Sequence, residues 1–176
     1  MLFRNFCFLI LAFMLSGCGD LNPSSADLRP PVEPGTSGPA VGQIAPDFAL
    51  FDTLNNTISL TAELVSADAV VLYFTMWCPI CDSHMSHMRA NIIPNFPNVK
   101  FYMVDYVSGT VEYSRDAQLA NGYADLDVLG DDIQEVLNLY DATMGSTIVI
   151  DKSQIVQLNE DYKDGTRLVE VLNLLP

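Results

Sequence analysis

Trp77-Cys78-Pro79-Ile80-Cys81 is the segment of this chain whose residue types and spacing can do chemistry. Two thiols with two residues between them suit reversible exchange between a dithiol and an intramolecular disulfide. Placed at a helix N-terminus, Cys78 has its thiolate favoured by the helix dipole and by unpaired amide N–H groups, and Cys81 then resolves the mixed disulfide. An inert staple is the duller reading, and it is a poor one, because a bridge over two residues closes almost no loop and gains little entropy. The chain holds four cysteines. Cys7 and Cys18 belong to an N-terminal leader, so a mature protein keeps Cys78 and Cys81 as its intramolecular pair. A single CxxC with no second one argues against a structural zinc site built from cysteines alone.

The residues after the pair, Cys81-Asp-Ser-His-Met-Ser-His-Met88, offer more ligands. On a helix Cys81, Met85 and Met88 share one face, and His84 sits three residues on from Cys81, within reach of the pair. Thiolate, imidazole and thioether suit Cu(I), so Cys78, Cys81, His84 and Met85 form a candidate copper set. The plainer expectation is that Met85 and Met88 pack under a sheet while His87 faces solvent. His84 can also carry a proton for Cys81 or for the leaving thiol, since an imidazole titrates in the useful range. No other cofactor is implied, the redox-active group being the dithiol itself.

The elements that must position these residues read as a mixed α/β order. Phe48 to Phe51 and Thr57 to Leu60 flank Asn55-Asn56 as a hairpin, and Thr61 to Val65 starts a short helix behind a Thr cap. Ala69 to Thr75 is apolar and β-branched, a strand buried on both faces that runs straight into the Cys pair. Cys78 to Ile93 reads as a helix ending before Pro94. Val99 to Tyr106 is a second central strand, Val111 to Asn121 a helix closed by Gly122, and Asp131 to Leu139 a helix with acidic residues in its first turn. Thr147 to Asp151 and Ile155 to Leu158 form a hairpin across Lys152-Ser153-Gln154, and Thr166 to Leu175 is the last helix. Parallel strands with helical crossovers, then an antiparallel hairpin and a helix, give a mixed sheet covered on both sides.

The leader ahead of this domain reads as a processing signal. Arg4 precedes Phe6 to Leu15, an apolar run of about ten residues, the length of a signal core and too short to span a bilayer. Leu15-Ser16-Gly17-Cys18 resembles a bacterial lipobox, which implies removal of residues 1–17 and lipidation of Cys18. Residues 18–40 hold Pro23, Pro30, Pro31, Pro34 and Pro39 with several Ser and Gly, as an extended tether does. Residues 41–176 then make one domain. The destination is the bacterial cell envelope, with the domain anchored by lipid and facing the periplasm, an oxidising compartment in which a dithiol needs re-reduction. The net charge of -14 shows no basic patch and excludes nucleic acid as a partner class.

Gly42-Gln-Ile-Ala-Pro-Asp-Phe48 ahead of the hairpin, with Val70-Val-Leu-Tyr-Phe-Thr-Met-Trp-Cys-Pro-Ile-Cys81, resembles the membrane-anchored TlpA/ResA-like redoxins of the thioredoxin superfamily. The resemblance spans about Val41 to Pro176. It implies a thioredoxin fold with an N-terminal β-hairpin extension, and disulfide exchange in exported proteins, apocytochrome c among them. Cys78 is then the attacking thiolate and Cys81 the resolving one, with Trp77 and Pro79 as accessories and a membrane electron donor for recycling. Two departures stand out: Gly145 takes the place of the family's cis-proline, where a trans or more mobile loop is expected, and His84 stands where the pattern often has Glu. Thr75-Met-Trp-Cys78 also contains the T-x-x-C of peroxiredoxins, with Arg89 and Arg115 as candidate cations to polarise peroxide. The proline expected four residues before that Thr is replaced by Val71.

Overall fold

A computed structural model describes residues 32–33 and 35–175. The segment expected to be a signal, Cys18 and the first part of the expected tether lie outside the described residues. The core element is β3, Ala69–Thr75, seven consecutive buried residues. Its period-2 alternation splits them between two apolar layers, as a strand with both faces covered requires. Val70, Leu72 and Phe74 enter one layer, while Ala69, Val71 and Tyr73 enter the other. Burying each large apolar side chain contributes about 1.5–3 kcal/mol, so this strand anchors both halves of the core.

β4, Val99–Asp105, runs parallel to β3 in the register Ala69 to Val99 through Thr75 to Asp105. Both strands therefore finish at the same edge of the sheet. β5, Asp127–Gly130, extends the parallel set beyond β4. This strand has no counterpart in the expected elements: four residues that begin with Asp and end with Gly carry almost no strand pattern, and pairing with β4 is what makes them a strand. On the far side, β6 (Ser146–Asp151) pairs antiparallel with β3 and then with β7 (Val156–Asp161). The hairpin of β1 (Ala49–Asp52) and β2 (Thr57–Ser59) attaches to β5, giving the order β2-β1-β5-β4-β3-β6-β7. The hairpin turn is drawn in by Asp52, whose Oδ1 accepts Leu54 N–H and Asn56 N–H, both at 2.8 Å.

Helices cover both faces. α1, Leu60–Glu63, starts behind Ser59 and not behind Thr61, whose N–H and hydroxyl are instead held by Asp47 at 3.1 Å. α2, Pro79–Asn91, buries Cys81, Met85 and Met88 against the layer that contains Tyr73. It stops at Ile92, and Ile93–Asn95 continues as one 3-10 turn around Pro94. α3, Val111–Ala120, is capped by the Thr110 hydroxyl, which accepts Tyr113 N–H. α4, Glu135–Leu139, is shorter than the helix expected from Asp131, because Gln134 takes a left-handed φ of 58° and breaks the turn before it. Asp131 is fully buried, and its carboxylate accepts the N–H groups of Val136 and Leu137 from outside the helix. α5, Thr166–Asn173, packs Leu168, Val171 and Leu172 into the Tyr73 layer.

The segment before β1 is tied to the sheet. Gly42 N–H and Ala45 N–H donate to Val156 and Gln154 carbonyls at 2.8 Å, and Asn159 holds the Pro39 carbonyl at 3.0 Å. Residues 36–40, read from sequence as part of the tether, thus take part in the folded unit. Among the described residues no helix is long and apolar enough to cross a membrane.

Candidate active site

The Cys pair stands where β3 gives way to α2, at the carboxyl edge of the parallel strands, the place at which open α/β sheets leave a crevice. The connection is tight. Trp77 adopts a left-handed φ of 57°, and its N–H donates to the Thr75 hydroxyl at 3.2 Å. Its indole N–H donates to Asp105 Oδ2 at 2.8 Å, which fixes the ring against the end of β4. The other Asp105 oxygen accepts Val107 N–H and Ser108 N–H, so this carboxylate, 1 % exposed, organises the loop after β4 as well.

Cys78 is the N-cap of α2, and Pro79 takes the first helical position, where a missing N–H costs nothing. The Cys78 sulfur accepts Cys81 N–H at 3.3 Å. Both thiols are free, Cys78 half-buried and Cys81 fully enclosed. They titrate as a pair. Burial and the hydrogen bond with Cys81 push the Cys78 thiol up. Burial acts to raise Cys81 too, but hydrogen bonds from the Cys78 thiol, from the Met76 and Cys78 backbone and from the Thr75 hydroxyl outweigh it and draw Cys81 down. These directions run opposite to the one that helix-dipole reasoning alone expects for an N-cap thiol. Accessibility still singles out Cys78 as the sulfur that an external disulfide can reach.

Behind the pair lies a cluster that the sequence reading only half identifies. His84, half-buried on α2, does not stand alone: its Nδ1 is 3.0 Å from the hydroxyl of Tyr73, a wholly buried residue of β3. Burial, and after it the charge of His87, hold the His84 imidazolium below its ordinary range, so the neutral ring is favoured. His87 does not simply face solvent. Its Nδ1 is 2.6 Å from the hydroxyl of Tyr162, whose ring centroid is 4.7 Å from that of His84. Burial followed by the charge of Asp164 pushes the Tyr162 phenol up to about 12. Gly165 leaves room for this contact, since a Cβ there would stand 2.6 Å from the Tyr162 oxygen. Tyr73 and Tyr162 went unnoticed in sequence because a tyrosine within an apolar run or near a strand end reads as core.

Gly145 lies in the loop before β6, and no cis peptide occurs among the described residues. Its φ of 87° is one that glycine adopts freely. Its N–H donates to Phe74 O at 2.9 Å and its carbonyl accepts Tyr162 N–H at 2.8 Å, so this residue is pinned between β3 and the end of β7. Neither backbone group of Gly145 is left over for an incoming chain.

Met85 and Met88 are core residues, 1 % and 0 % exposed. Among the described residues no group of three or more His, Cys, Asp or Glu side chains converges as metal ligands. Arg89 is paired with Asp125 at 2.8 Å and lies over the Tyr123 ring, and Arg115 donates to Gln118, so their polar partners are elsewhere than the Cys pair. Asp82, in the first turn of α2, is held by the Tyr123 hydroxyl at 2.5 Å.

Seven-stranded mixed sheet, helices on both faces and a CxxC at the β3–α2 junction define a redoxin of the thioredoxin superfamily. Residues 41–159 match the family model described as AhpC/TSA, and the chain belongs to that family. No curated protein matches it by sequence. Among solved structures it is similar to a Chlorobium tepidum protein assigned as thiol:disulfide interchange protein DsbE, at 20 % identity and a TM-score of 0.65, covering 76 % of this chain and 96 % of that one. MTB dsbF, solved in mixed oxidised and reduced forms, is similar at 17 % identity and a TM-score of 0.59, covering 73 % and 95 %. Peroxidoxin BcpB from Mycobacterium tuberculosis is similar at 20 % identity and a TM-score of 0.62, covering 77 % and 95 %. At such identities the likeness carries the fold.

Proposed function

We propose that this protein is an exported, lipid-anchored thiol–disulfide oxidoreductase that reduces disulfides of periplasmic proteins. The supporting observation is the pairing of an accessible Cys78 at a helix N-cap with an enclosed Cys81 one turn behind it. Cys78, as thiolate, attacks a substrate disulfide and expels one substrate thiolate, leaving a mixed disulfide. Cys81 attacks the Cys78 sulfur, the second substrate thiolate departs, and a Cys78–Cys81 disulfide remains. The substrate gains two electrons and the protein loses two, which a membrane dithiol donor returns. Trp77 and Pro79 act as accessories that shape the mouth of the site, and apocytochrome c is one substrate class that the resemblance implies. The reductive direction follows from Pro79-Ile80 and Asp82, which offer no cation to stabilise a thiolate, so the reduced form lacks the special stabilisation of a strong oxidant.

Replacement of Cys81 by Ala, followed by isolation of whatever stays disulfide-bonded to Cys78 in a Gram-negative periplasm, tests the reading. Capture of exported proteins with cysteines is the expected result. A reduction potential near about -120 mV, rather than near thioredoxin's value of about -270 mV, overturns the direction. A second reading, peroxide reduction by Cys78, draws on the AhpC/TSA match and on Thr75-Met-Trp-Cys78. Against it stand the hydrogen bond that the Thr75 hydroxyl accepts from Trp77 N–H and the pairing of Arg89 and Arg115 with Asp125 and Gln118. Hydrogen peroxide consumption with loss of thiols decides between the two.

A further inference from the structure

Single exposed apolar side chains are ordinary on a protein surface, but a group of them gathered from separate loops at one edge marks an interaction site. Such a group surrounds Cys78. Met76, in the turn after β3, and Ile80, in the first turn of α2, flank that sulfur along the chain, 43 % and 48 % exposed. Exposed Met144 joins them from the loop before β6, because the next residue, Gly145, donates its N–H to Phe74 O near the end of β3. Exposed Val107 follows β4, whose last residue, Asp105, is the register partner of Thr75. Ile133, 75 % exposed, follows β5. Its turn is held against the loop after β4, since Asp131 N–H donates to Asp105 O at 2.8 Å and the Gln134 side-chain amide to Tyr106 O at 3.1 Å. None of these apolar side chains belongs to either core layer, so packing of the fold does not account for them.

The charge around them has one sign. Residues 76–82, 105–110, 131–135 and 143–145, the connections that make up this edge, contain no lysine or arginine and expose Asp82, Asp132 and Glu135. Asp132 and Glu135 enter no ion pair among the described residues. The adjoining segment, whose Tyr162 N–H binds Gly145 O, brings Lys163, but in the company of Asp161 and Asp164. On a chain of net charge -14 this argues against a second copy or an anionic surface as the occupant, because either would bring like charges together.

We propose, on the basis of the dithiol reading above, that this edge is a docking rim for an unfolded polypeptide whose cysteine is flanked by apolar and cationic residues. Cys78 is half-buried and stands among these side chains, so a substrate sulfur reaches it with its own neighbours laid across the rim. Met76 and Met144, unbranched thioethers, repack around apolar side chains of different shape, which suits many sequences rather than one folded partner. Asp132 and Glu135 select the sign of the flanking charge and steer the encounter. Both backbone groups of Gly145 are engaged within the fold, so what that residue's loop offers an incoming chain is the Met144 side chain.

The test uses the reduced full chain and unstructured synthetic peptides with an internal disulfide, identical except that lysine-leucine or glutamate-leucine pairs flank each cysteine. Bis(2-hydroxyethyl) disulfide serves as a probe too small to span the rim. The rate is read as formation of the Cys78–Cys81 disulfide while the probe's disulfide is reduced to its two thiols. The lysine peptide is expected to react about tenfold or more faster than the glutamate peptide at low salt, and the ratio should fall toward unity at about 1 M salt, where screening acts within about 3 Å. D132N/E135Q should lower that ratio. M76S/M144S should lower the lysine peptide's rate several-fold relative to that of the small disulfide. Equal rates for the peptides, a ratio unmoved by salt, or a peptide-to-small-disulfide ratio unchanged in M76S/M144S overturns the rim. Self-association of the parent chain that hinders both peptides alike assigns the edge to a second copy and overturns it as well. The comparison of peptides needs only the parent chain, so it decides even where a variant does not fold. If no probe, the small disulfide included, converts the thiols to the Cys78–Cys81 disulfide, the dithiol reading itself fails and the rim with it.

Discussion

The indole of Trp77 and the carboxylate of Asp105 meet across 2.8 Å, and that contact ties the residue beside Cys78 to the end of the neighbouring parallel strand. Asp105 is buried and also accepts two backbone N–H groups, so Asp105→Ala leaves three donors without partners. A buried donor left unsatisfied costs about 1–3 kcal/mol, and the expected loss of stability in urea denaturation lies at or above that range. Trp77 is the single tryptophan of the chain, so its fluorescence reports directly on this contact. Asp105→Asn should shift the emission while leaving the fold intact; an unmoved spectrum counts against the role given to the pair.

Placing a proline at Gly145, as the resemblance to the TlpA/ResA-like redoxins implies, should harm this protein. Proline cannot adopt a φ of 87° and has no N–H to donate to Phe74. Gly145→Pro is expected to destabilise by about 3 kcal/mol or more. Gly145→Ala keeps the N–H and meets open space at Cβ, so it should cost only the left-handed backbone penalty, about 1–2 kcal/mol. Thermal melts of the two variants check the order, and a proline variant as stable as the parent chain refutes the account of the loop.

His84 gives stability a pH dependence with a defined sign. Its folded-state value is depressed by burial and by His87, so between that value and about 6.5 the unfolded chain binds more protons than the folded one. The contribution is fully present above about pH 6.5 and is lost as pH falls through the depressed value. Urea denaturation of H84Q beside the parent chain should show a flatter curve over this window, and identical curves exclude the effect.

Met85 tests the packing under the dithiol helix. It is 1 % exposed and shares its layer with Tyr73, Met88 and Ile92. Met85→Ala is expected to cost about 2–5 kcal/mol, the range for opening a cavity in a core. A midpoint of chemical denaturation unchanged by the substitution would show instead that α2 is loosely packed.

Much of the fold was legible in the chain. The apolar run Ala69–Thr75 announced a strand covered on both faces, and it is the one whose alternate residues feed the two core layers. Spacing placed Cys81, Met85 and Met88 on one helical face, and all three are buried. Where local pattern was weak the reading fell short. Asp127–Gly130 is a strand only because β4 offers a partner, and Asp131 caps α4 from outside because Gln134 turns the chain first.

The sequence by itself determined the CxxC pair and its place at a strand-to-helix junction, because the two thiols, the helix cap and hydrophobic periodicity are all encoded over a few neighbouring residues. Only the tertiary structure decided who surrounds that pair. Tyr73, Asp105, Gly145 and Tyr162 come from β3, β4, the loop before β6 and the segment just after β7, and reach the site only once the sheet has assembled its order. Contacts across such separations depend on register and layer packing, which side-chain types along a single strand do not specify.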